Sequence, residues 1–149
     1  MLKSLAERVN TLIKPTREQV IKFCHENTVI DFMEIAVVER GGEICLELCP
    51  DSRHANLYSM AHGGVLTTMA DTAMGAKCLE LGKRVVTVSL TINFMHPIMT
   101  GTRIHTEASV LHDGHKTLVC ECRIVDADGK LYAKADATFF VIALFDGQD

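Results

Sequence analysis

The run AHGGVLTTMADTAMG, Ala61 to Gly75, holds the residues whose types and spacing are best suited to chemistry. His62, Gly63 and Gly64 open a segment that is otherwise almost wholly apolar, and one acid, Asp71, follows eight residues after Gly63. A helix start carries unpaired backbone N–H groups and a partial positive charge. Glycine lacks a Cβ, so a ligand atom can come close to those donors. His62-Gly63-Gly64 is thereby fitted to polarise a carbonyl oxygen, as an oxyanion hole does in acyl transfer. The same glycines would also suit a tight loop-to-helix turn with no chemical role. A carboxylate in a buried helix is costly unless it is paired or hydrogen-bonded. Asp71 can therefore act as a general base on water or as a nucleophile on an activated acyl group. Alternatively it bonds structurally to Thr67, Thr68, Thr72 or a distant arginine.

Spacing constrains these roles. Eight residues of helix span about 12 Å, so one carbonyl cannot touch both the Gly63 N–H and Asp71 of the same helix. If both act on one carbon, they come from two helices lying side by side, which predicts a dimer with two shared sites.

The elements that must hold these residues can be read from periodicity. Val65, Leu66, Met69, Ala70, Ala73, Met74, Ala76, Cys78 and Leu79 predict a helix over about 62–81, apolar nearly all round and hence buried. Gly82 is placed to end it. Upstream, residues 4–13 read as a short helix, and Thr16 with Gln19 forms a capping box opening a second helix to about Glu26. From Asp31 the pattern turns strand-like, with Gly41-Gly42 as a hairpin turn. Pro50 to Met60 is a polar loop. After Gly82, VVTVSLTINF alternates, with Val86, Val88, Leu90, Ile92 and Phe94 on one face and Thr87, Ser89, Thr91 and Asn93 on the other. Strands at about 102–112, 116–126 and 130–142 follow, joined by HDGH and DADG turns. A hairpin, one buried helix and four antiparallel strands predict an α+β fold in which a curled sheet encloses a long central helix.

Composition narrows the function. The 149 residues fit a single domain, 48% hydrophobic but only 5% aromatic with no Trp, and the mean hydropathy is +0.16. The aliphatic surplus is expected at a subunit interface or along an apolar ligand tunnel. No apolar run approaches the roughly 20 residues that span a bilayer, so no membrane role is expected. Net charge is −4 and Lys83-Arg84 is the only adjacent basic pair, which excludes a nucleic-acid footprint. The six cysteines form no C-x-x-C pair and no secretory segment is visible, so reduced thiols and a cytoplasmic location are expected. His112 and His115 straddle a turn, and no His/Cys spacing fits a closed metal site. Met60, Met69, Met74, Met95 and Met99 are expected around the helix and the strand after it, as core filler or as lining of an adaptable acyl pocket.

Asn56, then His62-Gly63-Gly64, then Asp71, followed by TVSLTINFMHP, resembles the hotdog-fold acyl-CoA thioesterases of the phenylacetate-pathway (PaaI-like) type, in the thioesterase superfamily. The resemblance covers about residues 31–142 as a core, with 1–28 as a helical lead-in. It implies a helix wrapped by a curved sheet, homodimers and often homotetramers built as dimers of dimers, and hydrolysis of coenzyme A thioesters with no metal and no other cofactor. Carried over by position, the Gly63 N–H would polarise the thioester carbonyl and Asp71 of the second subunit would activate water or attack directly. Asn56 would orient the water or thioester. Thr87 would assist near the acid, and His62 with Gly64 would shape the turn against the substrate. Lys83, Arg84, Arg103, Lys116 and Lys134 are the basic residues open to holding the coenzyme A phosphates. A hydratase would require a histidine five residues after the acid, where this chain has Ala76. A hotdog domain that binds acyl ligands without turnover is the other reading.

Overall fold

The computed structural model describes residues 12–148. The helix expected over 4–13 falls almost wholly outside them.

The first helix, α1, runs Arg17–His25 and opens with the expected reciprocal cap: Thr16 Oγ1 accepts from Gln19 N–H and Gln19 Oε1 accepts from Thr16 N–H. Where the sequence reads as strand from Asp31, the chain instead makes a short helix, α2, Thr28–Phe32, and turns at Glu34 (φ 51°). Ile30 is the buried residue of this turn, so one apolar anchor had mimicked a strand.

Strands β1 (Ala36–Arg40) and β2 (Glu43–Leu48) form the hairpin. Gly41 and Gly42 take φ of 58° and 83°, the left-handed pair a two-residue turn requires. The long helix α3 spans Gly63–Glu80, and Gly82 at φ 82° terminates it. Strands β3 (Lys83–Phe94), β4 (Ile104–Asp113), β5 (Thr117–Asp126) and β6 (Leu131–Leu144) complete an antiparallel sheet in the order β1-β2-β4-β5-β6-β3.

The sheet curls around α3. The nine apolar helix residues named from the sequence are the nine that are buried. Ala133, Ala135 and Ala137 alternate along β6, and all are buried in the same core as Ala70, Ala73 and Ala76 of the helix. Small side chains on both surfaces let helix and sheet approach closely. Thr67 and Thr68 satisfy their hydroxyls by donating to the carbonyls of Gly63 and Gly64 one turn back (2.8 and 2.9 Å).

Strand β3 departs from the expected alternation. Its register against β6 shifts between Thr87 and Ser89, so Val88 bulges out of the ladder. Val85 packs on the core before the bulge and Leu90 and Ile92 after it; odd positions face the helix on one side and even positions on the other. Thr87 thus points toward α3 rather than lying on a separate polar face. As β3 is also a sheet edge, Val86 (47%), Val88 (63%) and Phe94 (50%) are left exposed.

The loop before α3 is anchored by His54, which is only 4% exposed. Its Nδ1 accepts from Asp51 N–H (3.1 Å), its Nε2–H donates to Met33 O (2.7 Å), and its carbonyl accepts from His62 N–H (2.8 Å). His54→Ala strands two partly buried polar groups, and an expected loss of about 1–3 kcal/mol can be read from urea unfolding.

Candidate active site

Asp71 lies in the middle of α3, half-buried rather than enclosed. Its Oδ1 accepts a 2.7 Å hydrogen bond from Thr87 Oγ1 of β3. The partner is therefore none of the helix threonines considered from the sequence. Thr87 thereby restrains the carboxylate through Oδ1, and Asp71 lines the adjoining cavity. The bulge at Val88 makes this pairing, as bulges near functional sites commonly re-aim a side chain.

The cavity beside Asp71 has a volume of about 680 Å³, within the range of small-ligand sites. One wall is α3, through Asp71, Thr72, Gly75, Ala76 and Leu79; α1 and β3 with β6 supply the others. Cys24 of α1 also lines it, and burial, with the Glu80 carboxylate as a lesser cause, pushes its thiol up to about 11. It is thus a neutral wall atom, not a nucleophile.

The other end of α3 holds the donors. His62 is the N-cap, with Nδ1 accepting from Gly64 N–H at 2.9 Å, so Gly64 and His62 satisfy each other. Gly63 is the first helical residue, and its N–H meets no acceptor among the described residues. A Cβ at Gly63 would come within 3.1 Å of Phe94 Cζ. Phe94, which the sequence marked only as a strand residue, is thus the side chain that walls this donor.

Asn56 organises the preceding loop: its Oδ1 accepts from the N–H groups of Tyr58 (2.9 Å) and Met60 (3.2 Å). The amide nitrogen meets no acceptor among the described residues. The continuous helix keeps Gly63 and Asp71 about 12 Å apart, so one chain does not bring donor and acid to one carbonyl.

Two basic residues considered for phosphate binding are already engaged. The Lys83 ammonium is buried against Asp113 and Gly114 O (2.9 Å), and Lys134 bridges Glu121 (3.2 Å) and Asp136 (3.0 Å). Arg84 stacks its guanidinium 5.1 Å above the Phe23 ring. Among the described residues no cluster of His, Cys, Asp and Glu could hold a metal ion, and no helix is long and apolar enough to cross a membrane.

Residues 58–133, just over half of the chain, match the model of the Thioesterase superfamily. The acyl-coenzyme A thioesterase PaaI of Escherichia coli is 35% identical over 78 residues, 52% of this chain and 56% of that protein. The solved structure of E. coli PaaI superposes with a TM-score of 0.78 at 24% identity, covering 95% of this chain and 99% of the other. A thioesterase-like protein of Streptococcus pneumoniae, solved with coenzyme A, has a TM-score of 0.76 at 25% identity, with 85% and 99% covered. With a central helix wrapped by a six-stranded sheet and this family match, the chain belongs to the thioesterase superfamily, as a hotdog-fold thioester hydrolase.

Proposed function

We propose that the protein hydrolyses an acyl-CoA thioester to a free acid and coenzyme A, at sites shared between two protomers. The observation that carries this reading is the Thr87-oriented carboxylate of Asp71 at the wall of an apolar cavity, in a chain of this family. The pneumococcal neighbour with bound coenzyme A supports the choice of thioester.

The chemistry follows from the groups present. The Gly63 N–H of one protomer donates to the thioester carbonyl oxygen and takes up the negative charge that develops there. The partner subunit's Asp71 accepts a proton from water through Oδ2 as the water oxygen bonds to the carbonyl carbon. Collapse of the tetrahedral adduct breaks the C–S bond, and the proton passes to the departing thiolate. A direct attack by Asp71 would instead form a mixed anhydride that water then opens, with the same products. The Asn56 amide nitrogen orients the water or the thioester oxygen, while His62 and Gly64 hold the turn that aims the donor.

A second copy pairs along the exposed β3 edge. That edge is twelve residues long, with unpaired backbone groups and the exposed valines Val86 and Val88, and such edges rarely stay uncovered. The six unpaired thiols suit a reducing compartment such as the cytoplasm.

Thiol release from a panel of acyl-CoAs tests the reading. Turnover of at least one member is expected; tight binding with no thiol release on any member would replace it with ligand binding alone. Within that assay, Thr87→Val removes a hydrogen bond to a charged group and is expected to cost about tenfold or more in kcat. Unchanged kcat would take Thr87 out of the site.

A further inference from the structure

We propose that Gly75 sets the bore of the acyl channel and Phe23 closes its far end, so that the enzyme takes straight medium-chain acyl groups. This rests on the thioesterase reading of the cavity at Asp71.

Gly75 is a glycine inside a helix, where it is less favourable than Ala by about 1 kcal/mol. Its backbone does not take positive φ, and a Cβ built on it would meet nothing within 4 Å. Neither backbone conformation nor crowding within the chain accounts for it. It lies four residues after Asp71, on the same helix face, and it lines the cavity. The missing side chain keeps the passage open one turn beyond the carboxylate.

Past Gly75, the passage continues along Ala76 and Leu79 toward the C-terminal end of α3. From Asp71 to Leu79 the helix stripe is about 12 Å long, which accommodates a medium-chain acyl group laid out straight. The far end is where α1 lies. Phe23 and Cys24 both line the cavity, and the Phe23 ring sits under Arg84, four residues past the end of α3 in the chain. Arg84 holds that ring in place as a wall. The wall is built by α1, which lies outside the 58–133 family match.

The test compares kcat/KM on butyryl-, octanoyl-, decanoyl- and palmitoyl-CoA for wild type, Gly75→Leu and Phe23→Ala, with binding of the corresponding non-hydrolysable thioethers measured alongside. For wild type, kcat/KM is expected to climb from butyryl to decanoyl by up to about fourfold per buried methylene and to fall at palmitoyl. Gly75→Leu should lower the decanoyl-to-butyryl ratio by about 50-fold or more, since several methylenes lose their channel. Phe23→Ala should move the preference toward palmitoyl. Gly75→Ala should raise the unfolding temperature, as helix propensity requires, which separates the channel effect from misfolding.

An equal loss on every chain length in Gly75→Leu, or a changed assembly state with an unchanged ratio, would overturn the channel and make Gly75 a subunit contact. If no thioester turns over while the thioethers still show the chain-length pattern, the hydrolytic reading fails and the channel stands. Turnover without the pattern gives the reverse.

Discussion

Gly63→Pro is expected to lower thioester hydrolysis about 100- to 1,000-fold, the scale of losing one oxyanion donor, while leaving the helix intact. Gly63 is the first residue of α3, where proline is well tolerated because its N–H has no intrahelical partner. His62 already has an extended backbone (φ −64°, ψ 134°), the conformation a residue before proline prefers. The substitution therefore deletes one donor and little else. The proline ring meets Phe94 near 3.1 Å, but that ring is half exposed and can give. Circular dichroism and unfolding curves should match wild type while kcat falls. Retained kcat would show that the carbonyl is polarised elsewhere.

Asp71→Asn is the second large effect, with hydrolysis reduced by at least about 100-fold and the fold preserved. Asparagine keeps the shape and can still accept from Thr87 Oγ1, but it takes no proton from water and forms no anhydride. Activity near wild type would remove Asp71 from the mechanism. The two variants together test the shared site. Mixed and allowed to exchange, they form heterodimers in which one site has both an intact donor and an intact acid. Random pairing in a two-fold dimer should restore about a quarter of wild-type activity. No recovery, or a fully active monomer at nanomolar concentration, would place donor and acid in one chain and contradict the helix spacing.

Much of the fold is legible in the sequence. The buried stripe of α3 was readable because a helix enclosed by a sheet must be apolar on nearly every side, and local sequence carries that pattern directly. The caps at Thr16 and Gly82 and the Gly41-Gly42 turn were readable for a related reason: each depends on residues within a few positions of one another. The short helix at Thr28–Phe32 was not, since five residues around one buried isoleucine carry too little periodicity to distinguish helix from strand.

By itself the sequence determined the glycines at a helix start, the acid eight residues on, and from their separation that a single carbonyl served by both would need two chains. Those conclusions follow from helix geometry alone, which is the same in any protein. The family resemblance put Thr87 near the acid, but the contact itself belongs to the tertiary structure: one bulged residue at Val88 reverses which side of β3 meets the helix, and Thr87 Oγ1 donates to Asp71 Oδ1. Only the tertiary structure revealed open space beside Gly75 and the Phe23 ring beyond it. A glycine reads the same in sequence whether it serves a turn, a close contact or a cavity, and what surrounds it comes from residues far away in the chain.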